Sequence, residues 1–419
     1  MRELLAYSTF ALTIGVAISR PKIGARGEIG PGAAAFGGML VLLTFGIVTP
    51  SEVRDVAATL WRPFLTIVAI MVMTAAAGRL NVLDWVAESV FRRASLSIGR
   101  LYGVVFFLSA ATASLLNNDA AILLLTPLVL GLVRQRYPGQ PQLLLPFAFA
   151  VFMAPGVAPF VVSNPMNMIV ASSAGLDFNT YAAQMAPISI AGWIIAFVIL
   201  WWLFGATLSA ITVPPVETRP VRPTAAQSWT MALLVAVLGS YPLVAAIDPT
   251  AIWVVSTLGA LAAVVIACRQ PHVRAVELIT RGVAWEILVF LLAVFVIAIG
   301  LRNVGLVGYL STLYQGASLA LVGTIAAIGS ALLNNHPMAI LNVLALDATP
   351  DSGQREILAA LIGGDLGPRL LPIGSLAGLL WLDSCRRLGV QVSLRQFVVV
   401  GLAVTLPTLA VSLTILALR

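Results

Sequence analysis

Two pairs of adjacent asparagines stand inside otherwise apolar sequence. Asn117-Asn118 lies within Ser114-Leu115-Leu116-Asn117-Asn118-Asp119, and Asn334-Asn335 within Ala331-Leu332-Leu333-Asn334-Asn335-His336. A carboxamide offers both donors and an acceptor from one side chain. Such groups are costly in a hydrophobic stretch, and a ligand, an ion or a partner helix has to meet that cost. Two further clusters belong with them: Ser163, Asn164 and Asn167 in Ser163-Asn164-Pro165-Met166-Asn167, and Gly374 and Ser375 in Pro372-Ile373-Gly374-Ser375. The prolines and glycines there interrupt helix and free backbone N–H and C=O groups for hydrogen bonding. The competing reading is that these polar groups only satisfy one another and the broken backbone, and it is strongest for Ser163 and Asn167.

Titratable groups sit beside the same clusters. Asp119 follows the first pair, His336 follows the second, and Asp365 lies in Gly364-Asp365-Leu366-Gly367-Pro368. Arg369 comes four residues after Asp365 and would face it on a helix, either as part of a proton relay or as a fixed ion pair locking the chain. Asp119 has no sequence-local cation and is the preferred proton carrier. His336 titrates near neutrality when unperturbed, or else is a water-exposed apex residue. Cys268 and Cys385 are too few for a disulfide framework and are expected as free thiols. No catalytic His, Cys or Ser arrangement and no Gly-x-x-x-x-Gly-Lys-Ser/Thr phosphate loop occurs. Neither an enzyme nor a cofactor, metal or nucleic-acid partner is expected.

The elements that position these residues are membrane spans. The 419-residue chain is 60% hydrophobic and 10% charged, more apolar surface than a soluble fold of this size could bury. Apolar runs near 4–19, 33–50 and 63–81 read as three spans, followed by an amphipathic stretch at 82–96. Residues 100–134 form two short arms around Asn117-Asn118, which predicts a re-entrant hairpin; such backbone is tolerated at depth only inside protein or against a water-filled cavity. A span at 143–174 is interrupted twice, and another follows at 188–210. The proline-rich linker 211–227 divides the chain into repeats 1–210 and 228–419. The second repeat runs in the same order: spans at 228–247, 250–268 and 284–302, an amphipathic stretch at 303–315, a hairpin at 316–347, a broken span at 354–382 and a last span at 396–418. The broken span is expected to be interrupted from Gly363 to Pro368 and again at Pro372–Ser375.

The net charge of +7 follows the positive-inside rule rather than an anionic partner. Arg20, Lys22 and Arg26, then Arg92, Arg93, Arg100, Arg134 and Arg136, Arg219 and Arg222, Arg269, Arg274 and Arg281, and Arg386, Arg387 and Arg395 mark cytoplasmic segments. Glu52, Asp55, Asp177, Asp248, Asp347 and Asp351 mark outer ones. With no signal-peptide cleavage site after residue 19, 4–19 is the first span, and both termini fall outside the cytoplasm. The two hairpins then enter from opposite faces, giving two inverted repeats of five spans plus one hairpin, the plan of secondary transporters.

Three stretches resemble the ArsB-type arsenite efflux pumps of the ion transporter superfamily. They are Leu115-Leu116-Asn117-Asn118-Asp119-Ala120-Ala121 with Leu125-Thr126-Pro127; Asn334-Asn335 with Pro337; and Gly364-Asp365-Leu366-Gly367-Pro368 with Pro372-Ile373-Gly374-Ser375-Leu376-Ala377 and Leu380-Trp381. The order of spans agrees over nearly the whole chain; His336 departs from the apolar or small residue expected there. The resemblance implies export of arsenite and antimonite in exchange for protons across a prokaryotic cytoplasmic membrane. It also implies, in some organisms, a soluble arsenite-stimulated ATPase subunit, and superfamily relatives are often dimers. Arsenite is mostly As(OH)3 at neutral pH, a small trihydroxide that Asn117, Asn118, Asn334 and Asn335 could surround, with Ser163, Asn164 and Asn167 approaching from one broken span and Gly374 and Ser375 from the other. Two rival functions stand beside it: cation-coupled transport of carboxylates or other anions on the same fold, and an ion channel or passive facilitator of small neutral solutes.

Overall fold

Prolines, caps and apolar length together set the helices. The computed structural model describes residues 1–21, 28–93, 97–116, 118–211, 222–350 and 352–419, with the backbone alone at 90–93, 119, 120 and 376. Asn117, the Asp119 side chain and most of the expected linker therefore lie outside the described residues. The described residues of the first half form α1 (Arg2–Ser19), α2 (Pro31–Thr44), α3 (Pro50–Arg79) and α4 (Val82–Arg93). A hairpin of α5 (Ile98–Leu115) and α6 (Asn118–Arg136) follows, then α7 (Leu144–Met153), α8 (Pro165–Ser173) and α9 (Phe178–Ser209). The second half forms α10 (Ala225–Ile247), α11 (Ile252–Cys268), α12 (Ala275–Thr280), α13 (Trp285–Asn303) and α14 (Leu306–Tyr314). It closes with a hairpin of α15 (Leu319–Leu333) and α16 (Asn335–Asp347), then α17 (Gln354–Leu366), α18 (Leu376–Arg387) and α19 (Leu394–Ala417). Among the described residues six helical stretches are long and apolar enough to cross a membrane, and the protein is an all-α, multi-pass membrane protein.

Two helices begin where side chains cap them rather than where apolar sequence begins. α3 starts at Pro50, well before the expected 63, because Thr49 and Glu52 form a capping box: the Glu52 carboxylate accepts from the Thr49 amide at 2.8 Å and the Thr49 hydroxyl accepts from the Glu52 amide at 3.3 Å. α9 starts at Phe178 rather than 188 because Asp177 accepts from the amides of Asn179 at 2.8 Å and Thr180 at 3.0 Å. Burial pushes the Asp177 carboxyl up, but the Thr180 hydroxyl and the two amides outweigh it and hold it below the usual carboxylate range. A depressed folded-state value contributes stability above the unfolded value that is lost as pH falls through the folded one. Asp177→Ala is thus expected to cost about 1 kcal/mol at neutral pH, read as a lower melting temperature in lipid discs, and the difference should shrink as the medium is acidified. The short α12 had no counterpart in the expected spans.

α17 departs from expectation in an informative way. The helix continues through Gly363-Gly364-Asp365 to Leu366 before a 3-10 turn at Gly367–Arg369 and a second at Pro372–Gly374. The glycines are there for contact, not for breakage. A Cβ on Gly363 would lie 2.1 Å from the Gly323 carbonyl oxygen, and one on Gly367 would lie 2.3 Å from that of Ala327. Bare backbone thus seats α17 directly on α15.

Helix pairings recur in matched sets. α2 packs on α13 and α11 on α3; α1 packs on α2 and α10 on α11; α5 packs on α6 and α15 on α16. α9 packs on α19. The second arm of each broken span reaches the opposite hairpin, α8 against α16 and α18 against α6. Two apolar cores result. One joins α8, α16 and α17 to helices of the α2–α3–α11–α13 group, and the other joins α5, α6, α7, α18 and parts of α9 and α19. The chain passes between these cores through two unwound stretches, 154–164 and 367–375, and the polar residues gather there.

Candidate functional site

The two unwound stretches and the two hairpin apexes border a partly open cavity of about 40 Å³. Asn118 lines it from the first apex and Asn335 from the second. Pro155 and Asn164 line it from one unwound stretch, Asp365, Pro368, Arg369 and Ser375 from the other, and Ile122, Phe152 and Ala377 complete the wall. A water needs roughly 10–15 Å³ by the same measure, so the volume suits a few water-sized groups.

Asp365 is fixed by the other half of the molecule. Its Oδ1 accepts from Asn164 Nδ2 at 3.0 Å, and its Oδ2 accepts from Asn167 Nδ2 at 2.8 Å and from the Ala158 amide at 3.0 Å. Asn164 does double duty, because its Oδ1 also caps α8 by accepting from the Met166 amide at 3.1 Å. Asn167 in turn donates at 2.8 Å to the Tyr181 hydroxyl, which donates to the Ala158 carbonyl at 3.1 Å. The direct Asp365–Arg369 ion pair considered from sequence spacing is not made among the described residues, since α17 ends at Leu366 and the two do not share a helical face, although their charges still interact. Arg369 is buried, and neither of its terminal nitrogens has a partner among the described residues. The Asn335 carboxamide oxygen is likewise buried without one. Both residues line the cavity, and the Arg369 guanidinium, one of whose terminal nitrogens lies against Gly156, and the Asn335 carboxamide oxygen are the groups there left without a hydrogen-bond partner among the described residues.

Six of the residues singled out in the sequence meet around this space: Asn118, Asn164, Asn335, Asp365, Arg369 and Ser375. Asn167 stands one bond behind it. Others are held elsewhere. Ser163 donates to the Ser114 carbonyl at 2.7 Å and ties the broken span to the first hairpin. Asn334, at φ 80°, caps α16 by accepting from the His336 amide at 3.4 Å and donates to the Ile373 carbonyl at 3.5 Å. Gly374 is a packing position, since its Cβ would meet Pro368 Cα at 2.7 Å. His336 is not a water-exposed apex residue: it is 3% exposed, with Nδ1 3.3 Å from Asn334 Oδ1 and its ring edge-on to Phe290. It turns toward α13 because the apex packs into that helix. Ser375 caps α18, accepting from the Gly378 amide at 3.0 Å.

Tyr181 was missed. A lone tyrosine between the expected spans 143–174 and 188–210 is the only signal the sequence offered. Removing its hydroxyl leaves one Asn167 N–H and the Ala158 carbonyl unpaired, each at a cost of about 1–3 kcal/mol. Tyr181→Phe is expected to destabilise the folded protein by about 1–3 kcal/mol, read as a lower melting temperature in lipid discs.

Two larger cavities lie along α3. One of about 520 Å³ at the Arg79 end is lined by Met71, Thr74, Leu123, Leu124, Pro165 and Arg281, with Arg79 and Glu277 paired at 3.4 Å on its wall. One of about 230 Å³ at the Arg62 end is lined by Thr66, Val162, Asp177 and Trp253. The first and the central cavity are lined by consecutive residues on two elements: Ile122 and Asn164 at the centre, Leu123 and Pro165 at the larger space.

With that geometry in hand, similarity to known proteins is specific. The family model described as arsenical pump membrane protein, ArsB, matches residues 5–418. The arsenical pump membrane protein of Escherichia coli (strain K12) is 32% identical over 434 residues, covering 99% of each chain. That of Yersinia enterocolitica is 30% identical over 433 residues, again covering 99% of each. In fold, the chain is similar to the crystal structure of the Alcanivorax borkumensis YdaH transporter, with a TM-score of 0.57 at 16% identity over 99% of this chain and 96% of that one.

Proposed function

The chain belongs to the ArsB family of arsenical pump membrane proteins, and from that premise we propose that it is a secondary transporter exporting arsenite and antimonite in exchange for protons. The observation that carries the reading is the chemistry left unused at the central cavity. An As–OH group can accept from the Arg369 guanidinium through its oxygen and donate to the Asn335 carboxamide oxygen through its hydrogen. Asn118 and Ser375 supply further donors and acceptors around a solute with three such groups. Arsenous acid is net neutral, so it enters without disturbing the Asp365 and Arg369 charges.

Asp365 is the proton carrier in this scheme, in preference to Asp119, because it lies in the cavity wall with three N–H groups fixing its carboxylate. Protonation removes the charge those donors serve and loosens the tie between the two unwound stretches. Deprotonation restores it. The bond network therefore reads the proton as a change in coupling between the halves of the molecule. Proton entry from outside would favour release and return, and proton loss inside would reset the site for arsenite.

The access routes in this reading are the two cavities along α3. The charge bias puts Arg79 and Arg281 on the cytoplasmic side, with both termini outside, in the cytoplasmic membrane of a prokaryote. The 520 Å³ space is then the inner vestibule, and the boundary at Ile122–Leu123 and Asn164–Pro165 is the inner gate. The hairpins and broken spans, as inverted repeats, alternate access by moving against α2, α3, α11 and α13.

A cation-coupled carboxylate transporter is the second reading, favoured by the free Arg369 guanidinium. The cavity volume opposes it, because about 40 Å³ is less room than a dicarboxylate needs. The test is arsenite resistance and uptake by everted vesicles from cells lacking other arsenite exporters. Saturable uptake that succinate leaves untouched supports arsenite export; no resistance and no uptake removes it.

A further inference from the structure

The central cavity is lined by oxygen, nitrogen and carbon, with no sulfur among the described residues that form it. The two side chains at the first apex that lie outside the described residues, Asn117 and Asp119, hold none either. The two thiols are elsewhere: Cys268 is exposed at the end of α11, and Cys385 is fully buried in the aromatic core beside α7. Arsenic(III) and antimony(III) are soft centres that bind thiolates tightly, so a site built to recognise the metalloid atom would present sulfur. This one presents carboxamides, a hydroxyl, a carboxylate and a guanidinium, all partners for the oxygens of a solute and none for its central atom. The orphaned Arg369 nitrogens and Asn335 oxygen are matched by any hydroxyl that accepts and donates together.

We propose that this cavity recognises its ligand through oxygen alone, so that its substrate class is the small neutral trihydroxides and boric acid is a second ligand of the arsenite site. The inference rests on the arsenite reading above and narrows it. Boric acid shares the features the cavity can sense: three hydroxyls on one centre, no charge at neutral pH and a compact outline suited to about 40 Å³. It lacks the one feature the cavity cannot sense, a thiophilic centre. A thiol adduct of arsenite is excluded on the same grounds, because it has lost its hydroxyls and exceeds the volume.

The test uses the purified full-length protein in lipid discs, melted with arsenite alone, with boric acid alone and with neither. A ligand that binds only the folded protein raises its melting temperature saturably. Both compounds are expected to do so, and Asn335→Ala should lose both shifts together. A Cys268→Ser, Cys385→Ala double variant should keep both. Where Asn335→Ala yields no folded protein, competition takes its place: boric acid should raise the apparent KM for arsenite uptake by everted vesicles with kcat unchanged. A shift with arsenite but none with boric acid overturns the oxygen-only assignment. So does loss of the arsenite shift in the cysteine variant, or a boric acid shift that survives Asn335→Ala intact. Absence of a shift with either compound instead overturns the arsenite reading on which the inference rests.

Discussion

Asp365→Asn is expected to lower gradient-driven arsenite accumulation by on the order of 100-fold, with folded protein still present in the membrane. Two losses combine. The carboxylate accepts from Asn164, Asn167 and the Ala158 amide, and a carboxamide has only one acceptor oxygen to offer those three donors. Hydrogen bonds to a charged group contribute about 1.5–3 kcal/mol each, and about 1.4 kcal/mol is a factor of ten in rate. The second loss is the proton itself, since asparagine does not titrate. Transport that no longer draws on the gradient but still exchanges labelled for unlabelled arsenite is the expected signature, measured in everted vesicles with size-exclusion profiles to confirm folding. Full gradient-driven accumulation by this variant would remove Asp365 from the coupling.

Gly363→Val is expected to remove most folded protein. The added Cβ would lie 2.1 Å from the Gly323 carbonyl oxygen and 2.9 Å from both the Ala326 Cβ and the Ala327 nitrogen, so backbone rather than flexible side chain must give way. Overpacking a tight core costs about 1–3 kcal/mol and more where backbone has to move. The contact also sets the height of Asp365 two residues on, so molecules that do fold should transport poorly. Gly131→Ala in α6 is the contrasting substitution. Nothing lies within 4 Å of its added Cβ, and exchanging glycine for alanine inside a helix gains about 0.5–1 kcal/mol. Opposite changes in melting temperature between the two variants are the expected result.

Much of this fold was legible because membrane spans announce themselves by length and apolarity, and hairpins by polar apexes between short arms. The ends of helices were less so. α3 and α9 begin at Thr49 and Asp177 because of capping bonds, while the expected starts followed hydropathy alone. The break in the second broken span also moved. Gly363 and Gly364 read as breakers, yet they lie within α17 and face α15, a distinction that depends on a neighbour distant in sequence. The same limit governed the site. Polar clusters at the apexes and breaks identified six residues that line the cavity. Partner assignment failed where sequence offered a nearby candidate: Arg369 is four residues from Asp365, but the bonds come from Asn164 and Asn167, 201 and 198 residues away in the chain. His336 followed an apex and read as exposed, whereas α13 covers it.

The exchange of protons for arsenite is the claim on which the account turns. Its most direct measurement is the proton gradient itself, followed with a pH-sensitive dye in everted vesicles carrying the wild-type protein. Arsenite added outside should discharge the gradient saturably, with the same half-saturating concentration as arsenite uptake and no discharge in vesicles carrying Asp365→Asn. Arsenite that accumulates while the gradient stays untouched would contradict the account.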